Sequence, residues 1–121
     1  MYGLPKDKDL SFLLSAGKVD EVCIGLSSVI IKWPNAASIS VEGEFVFNRN
    51  DGQSIRVKRG EYPLTVGCLS HLVYSTIVGY EIQDKGTLML NFSNGDQLSL
   101  LDDSSKYESY EISTNQGPII V

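Results

Sequence analysis

The fold class of this 121-residue chain is decided by the stretch SISVEGEFVF at residues 38–47. Apolar side chains recur there at every second position, from Ile39 through Val41 to Phe45 and Phe47, with polar residues or glycine between most of them. A period of two is typical of a β-strand with one buried and one solvated face. The stretch therefore predicts one long strand in a sheet whose apolar face needs a cover.

Strands are also predicted on both sides of this stretch. Upstream, residues 19–24 and 29–33 alternate in the same way and are rich in β-branched residues. Downstream, the Asp51-Gly52 pair is a hairpin turn signal, and residues 54–58 follow as the second strand of that hairpin. Neighbouring strands joined by such short turns predict an antiparallel sheet.

The period changes once along the chain. Between Pro63 and Gly79, apolar residues recur at three- and four-residue steps, which predicts a helix over residues 66–77. A weaker helical turn is predicted at residues 10–14. The helix at 66–77 carries an apolar stripe and is therefore the expected cover of the sheet.

The strand pattern returns after Gly79, and it resembles the first half of the chain. Strands are predicted at residues 80–83, 88–92, 97–101, 107–113 and 118–121, with turns at 84–86 and at Asn94-Gly95. When the two halves are aligned without gaps, Ile31 falls on Leu90 and Trp33 falls on Phe92. We therefore predict one α+β domain over residues 1–121, with two similar antiparallel meanders and one covering helix near residues 66–77. The alternative is that two unrelated amphipathic hairpins align equally well.

The charge is unevenly distributed. Residues 1–77 carry eight acidic and eight basic side chains, whereas residues 78–121 carry seven acidic and two basic ones, so the net charge of −5 arises in the last third. Nucleic-acid binding is disfavoured because phosphate contacts need a cationic surface. A basic protein partner is favoured, although acidity that serves only solubility is an alternative.

The residues offer little for catalysis or cofactor binding. Cys23 and Cys68 are predicted to be two buried, reduced thiols of a cytoplasmic protein, and the single histidine is His71. These three residues lack the spacing of a metal site. Cys68 and His71 could share a helix face as a nucleophilic pair, but no acidic residue near them would orient the imidazole ring. We expect a protein that is not an enzyme and has no cofactor, metal or membrane-spanning segment.

A recognition surface is predicted near the C-terminus. Aromatic and acidic residues follow one another there, and tyrosines beside carboxylates suit contact with a basic protein. The candidate partner-binding residues are Asp102, Asp103, Tyr107, Glu108 and Glu111. A final strand that buries Tyr110 and Ile112 is compatible with this surface if its other face is free.

Several segments also resemble a widespread family of small uncharacterised bacterial proteins. They are DLSFL at residues 9–13, SISVE at 38–42, NFSNG at 91–95 and YESYEI at 107–112. Tyr110 stands where tryptophan is frequent in that family. Such families resemble immunity proteins, so the resemblance implies a cytoplasmic protein that binds and neutralises a cognate bacterial toxin domain.

Three hypotheses follow for the function. The first is an immunity protein of the contact-dependent growth inhibition type that blocks the active site of a basic nuclease toxin. The second is a structural module or homodimer that pairs through the apolar C-terminal strand at residues 118–121. The third, an enzyme using Cys68 and His71, requires a hyper-reactive thiol.

Overall fold

The structure is a computed structural model that describes residues 4–35, 37–62, 66–102, 108–114 and 117–121. The strands in these ranges are β1 (Glu21–Ile24), β2 (Val29–Lys32), β3 (Ser38–Val41), β4 (Phe45–Asn48), β5 (Ser54–Val57), β6 (Ile77–Ile82), β7 (Leu88–Phe92), β8 (Gln97–Leu100), β9 (Tyr110–Thr114) and β10 (Gly117–Ile120). Three short 3₁₀ helices accompany them: η1 (Ser11–Ser15), η2 (Val66–Leu72) and η3 (Asp84–Gly86).

The strands form two five-stranded sheets, and every pairing is antiparallel. Sheet A has the order β1-β2-β3-β9-β10, and sheet B has the order β5-β4-β8-β7-β6. The inward side chains of both sheets belong to one apolar cluster, to which Leu10 and Leu13 near η1 and Leu69 and Leu72 of η2 also contribute. Each sheet therefore buries its apolar face in a core that it shares with the other sheet.

The prediction of a single strand over residues 38–47 is wrong. The strand divides into β3 in sheet A and β4 in sheet B, because the N–H groups of Glu42 and Gly43 both donate to the carbonyl of Ser109, at 2.9 and 2.8 Å. The alternation continues across this break because the apolar faces of both sheets point into the same core, where Val41 and Phe45 are buried.

The prediction of a covering helix at residues 66–77 is also wrong. η2 ends at Leu72, and the chain turns through Tyr74, whose φ of 74° lies in the left-handed region, before β6 begins at Ile77. The apolar residues of this segment do not form one helical stripe, because Leu69 and Leu72 are buried from η2 whereas Ile77 is buried from β6. The fold is mostly antiparallel β, whereas the weaker helical turn predicted near residues 10–14 is present as η1.

The two halves of the chain pair their strands in the same register. In sheet A, Val29 pairs with Val41 and Ile31 with Ile39; in sheet B, Leu88 pairs with Leu100 and Leu90 with Leu98. Each residue of the first hairpin is separated from its counterpart in the second by the same number of residues along the chain. The alignment that the sequence predicts is therefore also an alignment of hydrogen-bonded partners.

Each half contributes strands to both sheets. The first half places β1, β2 and β3 in sheet A and its last hairpin, β4–β5, in sheet B. The second half places β6, β7 and β8 in sheet B and its last hairpin, β9–β10, in sheet A. The register matches here too, since Phe45 pairs with Leu100 as Tyr110 pairs with Val41. The offset between β4 and β9 is larger than that between β3 and β8, because a longer segment precedes β9.

The turns that precede β3 and β8 make matching contacts as well. The N–H of Trp33 donates to Ala37 at 3.0 Å, and that of Phe92 donates to Asp96 at 2.9 Å. The side-chain amide of Asn35 donates to the carbonyls of Ser15 and Ala16, each at 3.2 Å. Its counterpart Asn94 donates to the carbonyl of His71 at 3.0 Å, so in each half an asparagine holds the 3₁₀ segment.

The two cysteines are free thiols, but the prediction that they are buried is wrong, because Cys23 and Cys68 are only half-buried. Cys23 lies on edge strand β1 with its thiol 3.3 Å from a carboxylate oxygen of Glu21. None of the helices in the described ranges has the length and apolar character that a membrane-spanning helix requires.

Candidate partner-binding surface

Three of the five predicted partner-binding residues lie within the described part of the chain. Asp102 follows β8, Glu108 lies two residues before β9, and Glu111 is on β9; each is half-exposed. We call these three residues the acidic surface. Asp103 and Tyr107 lie outside the described residues.

Glu111 is held on the outer face of sheet A. β9 lies between β3 and β10, where Glu111 pairs with Ser40 on one side and with Ile120 on the other. Its neighbours Tyr110 and Ile112 are buried, at 1% and 0% exposure. The alternation of the strand thus turns the carboxylate outward, as the sequence predicts for a strand that buries Tyr110 and Ile112.

The start of β9 is fixed by several backbone hydrogen bonds around Ser109, which is fully buried. Its carbonyl accepts from the crossover between β3 and β4, and its N–H donates to the carbonyl of Val121 at 2.7 Å. Its hydroxyl lies 3.2 Å from Oδ1 of Asp102 and donates to it. The backbone next to Glu108 and Glu111 is therefore held by several hydrogen bonds.

Asp102 also lies against the turn between β6 and β7. A Cβ atom added to Gly86 would be 3.1 Å from Oδ2 of Asp102, and the φ of Gly86 is 79°. The Gly86 carbonyl accepts a 2.6 Å hydrogen bond from the buried hydroxyl of Tyr110. Burial, and to a smaller extent the Asp102 carboxylate, raises the pKa of Tyr110 well above its ordinary value.

Arg59 contacts the acidic surface, and the sequence did not predict this contact. The Nη2 atom of Arg59 donates to the carbonyl of Glu108 at 3.0 Å. Arg59 is close in sequence to Arg49 and Arg56, which could pair with acidic residues of the β4–β5 hairpin. That pairing is present for Arg56 with Glu44, whereas Arg49 approaches Asp96 of the second half, at 3.7 Å.

The raised pKa of the Cys68 thiol disfavours a nucleophilic role for this residue. Burial raises the pKa of Cys68, whereas a catalytic thiol is activated by a lowered pKa. Among the described residues, no group of three or more His, Cys, Asp or Glu side chains could hold a metal ion.

Comparisons of the chain with family models, with curated proteins and with solved structures found no match.

Proposed function

We propose that this chain is a cytoplasmic immunity protein, a non-enzymatic protein that binds a basic toxin domain and blocks its active site with the acidic surface. The toxin envisaged is a nuclease, whose active site is cationic because it binds phosphate groups. Carboxylates from a partner can occupy such a site in place of the phosphates.

The observation that supports the proposal most strongly is a difference between the two halves. The first half crosses from sheet A to sheet B through residues 42–44, whereas the second half crosses back through the longer segment 101–109. The short crossover indicates that a change of sheet does not need the additional length. Loops that exceed the needs of a fold are frequent sites of binding. Of the described candidate residues, Asp102 and Glu108 lie in this longer connection.

The rigidity of the surrounding backbone also favours binding. Ser109 is hydrogen-bonded to the other crossover, to Val121 and to Asp102, so Glu108 and Glu111 are presented from an ordered segment. A backbone segment that is already held in place loses less entropy when the complex forms. The negative charge would accelerate the encounter with a cationic partner, and this acceleration falls as ionic strength rises.

The test is affinity capture from the native host with three baits, each the full chain. The first is the wild type, the second carries Glu111→Lys with Asp102→Lys, and the third carries the control change Asp51→Lys. Asp51 lies in the β4–β5 turn, away from the acidic surface. We expect a basic toxin domain to bind the wild type and the control but not the double variant. Recovery of no such domain, or equal recovery by all three baits, contradicts the proposal.

The alternative of a homodimer through β10 meets a structural obstacle. β10 is an edge strand of sheet A, and Tyr110 and Val121 exchange both backbone hydrogen bonds. The alternation of an antiparallel ladder then makes Ser113 and Pro118 a non-bonded pair, so residue 118 faces the open edge. Proline has no N–H to offer there, which disfavours edge pairing. A mass in solution that rises to a dimer with concentration would favour the alternative.

A further inference from the structure

An open groove of about 540 Å³ lies between η1, the β2–β3 turn and the β9–β10 hairpin. Its volume is within the range of pockets that hold small ligands or single side chains of a partner. The residues that matter for its chemistry are Asp9, Phe12, Asn35, Ala37, Thr114 and Pro118.

Because the two halves correspond, the residues that line the groove have counterparts in the other half of the chain. We call these counterparts the second copy of the groove. The offset that relates the β2–β3 hairpin to the β7–β8 hairpin also carries Asp9 to Cys68 and Ala37 to Asp96. A larger number of residues separates β4 from its counterpart β9. Arg49 directly follows β4, and the same separation makes Thr114 its counterpart. The groove can therefore be compared, position by position, with a part of the same molecule.

In that second copy the position that corresponds to Thr114 is held by an arginine, Arg49. The Nε atom of Arg49 is buried and lies 3.7 Å from Oδ1 of Asp96. Burial raises the pKa of Cys68, and the positive charge of Arg49 opposes that rise. Arg49 thus approaches the counterpart of Ala37, and its charge acts on the counterpart of Asp9. In the groove the corresponding residue is Thr114, and no carboxylate replaces Asp96 at position 37.

The groove has groups of its own that can recognise a guanidinium ion. Asp9 provides a carboxylate whose Oδ1 accepts the N–H of Ser11 at 2.9 Å, and hydrogen bonds from Ser11 lower the pKa of Asp9, so it is ionised at neutral pH. The half-buried ring of Phe12 provides an aromatic surface, on which guanidinium groups stack well. Lys8 also borders the groove, but its side chain is long enough to keep the ammonium group in water.

We propose that this groove binds a guanidinium group, carried by an arginine side chain of a protein partner. The partner would reproduce, from outside, the position that Arg49 holds in the other half of the chain. The identification of the carrier as a protein rests on the proposed function, since a basic toxin domain is rich in such side chains. The chemistry of the groove rests on Asp9 and Phe12, and the choice of arginine rests on the comparison of the two halves.

The test is an NMR titration of the full chain with three capped tripeptides, acetyl-Gly-X-Gly-amide, in which X is arginine, lysine or citrulline. Citrulline has nearly the shape of arginine without its charge. We expect saturable shifts of the backbone amides of Asn35, Ala37 and Gly117 with the arginine peptide, much weaker shifts with lysine and none with citrulline. Absence of saturable shifts with arginine, or equal shifts with citrulline, overturns the proposal. Free arginine binding more tightly than the peptide would assign the groove to a small molecule and overturn the protein partner.

Variants give a second, independent readout. Asp9→Asn should weaken binding of the arginine peptide about tenfold, whereas the control Asp7→Asn, at an exposed residue that does not line the groove, should leave it unchanged. The double variant Ala37→Asp with Thr114→Arg should fill the groove as in the other half and abolish peptide binding. Undiminished binding by a folded double variant contradicts the proposal.

The two proposals can fail separately. If the arginine peptide does not bind but partner capture still depends on Asp102 and Glu111, the groove assignment fails and the immunity function stands. If the peptide binds in the groove and no basic partner is captured, the immunity function fails.

Discussion

The hydroxyl of Tyr110 in sheet A donates a 2.6 Å hydrogen bond to the carbonyl of Gly86, in the turn between β6 and β7 of sheet B. Tyr110 is 1% exposed, so this bond joins the two sheets inside the core. It also lies next to one residue of the acidic surface, because Gly86 is in close contact with Asp102. The stability of this junction therefore bears on the presentation of Asp102.

Tyr110→Phe is expected to lower the free energy of unfolding by about 1–3 kcal/mol, because the Gly86 carbonyl loses its partner in a buried site. Chemical denaturation measures the change. Tyr74→Phe is the control, since the Tyr74 side chain is 79% exposed. Equal stabilities for the two variants would contradict the role assigned to the hydrogen bond.

The same residue predicts a loss of stability in alkali. The pKa of Tyr110 is raised by burial, so the folded state keeps the phenolic proton at pH values where an unfolded tyrosine, with a pKa of about 10, releases it. The stabilisation that comes from keeping Tyr110 protonated in the folded state is complete below about pH 10. It is lost progressively as the pH rises above this value. Denaturation at several alkaline pH values should show a steeper decline for the wild type than for Tyr110→Phe. Parallel declines would refute the assignment.

Gly86→Ala should cost more stability than Gly52→Ala. Both glycines have positive φ angles, 79° and 93°, so alanine is strained by about 1–2 kcal/mol at either position. At Gly86 the new Cβ would also lie 3.1 Å from Asp102 Oδ2 and 3.2 Å from the Leu4 nitrogen, whereas at Gly52 nothing lies within 4 Å. Thermal denaturation of the two variants isolates the contact, and equal melting temperatures would argue against it.

Asp96→Ala should destabilise the fold by about 3–5 kcal/mol. Asp96 is 2% exposed, and its carboxylate accepts from the N–H of Asn50 and the amide of Asn94, both at 2.9 Å. The change leaves those donors and Arg49 without the carboxylate. Asp51→Ala, which removes an exposed acceptor of one turn N–H, is the control. A loss no greater than that of the control would contradict the account.

Leu90→Asp should unfold the protein or cost several kcal/mol, because Leu90 is 0% exposed and an unpaired charge would be buried. Met89→Asp, at the adjacent half-buried position on the other face of β7, is the control. Circular dichroism during thermal denaturation compares them. An unchanged melting temperature in Leu90→Asp would refute the assignment of the buried face.

Much of the strand pattern could be predicted because it depends on local alternation. The buried faces of β2 and β7, the turns at Asp51-Gly52 and Asn94-Gly95, and the alignment of the two halves all follow from neighbouring side chains. The break at Gly43 could not be predicted in this way. Both sheets face one core, so a strand that leaves one sheet for the other keeps the same alternation.

The candidate surface was predictable in part for the same reason. The outward position of Glu111 follows from its place between two buried residues. The hydrogen bond from Arg59 to Glu108 joins two segments that are far apart in the sequence. No local sequence pattern predicts such a contact. The groove also escaped sequence reasoning, because its meaning depends on knowing that Thr114 corresponds to Arg49 in three dimensions.

The most direct test of the account is protection from the toxin domain obtained by capture. Cells that produce this domain alone should stop growing, and co-production of the wild-type chain or of Asp51→Lys should restore growth. Co-production of the variant with Asp102→Lys and Glu111→Lys should leave growth arrested. If the wild-type chain gives no protection, or if the double variant protects as well as the wild type, neutralisation through the acidic surface is contradicted.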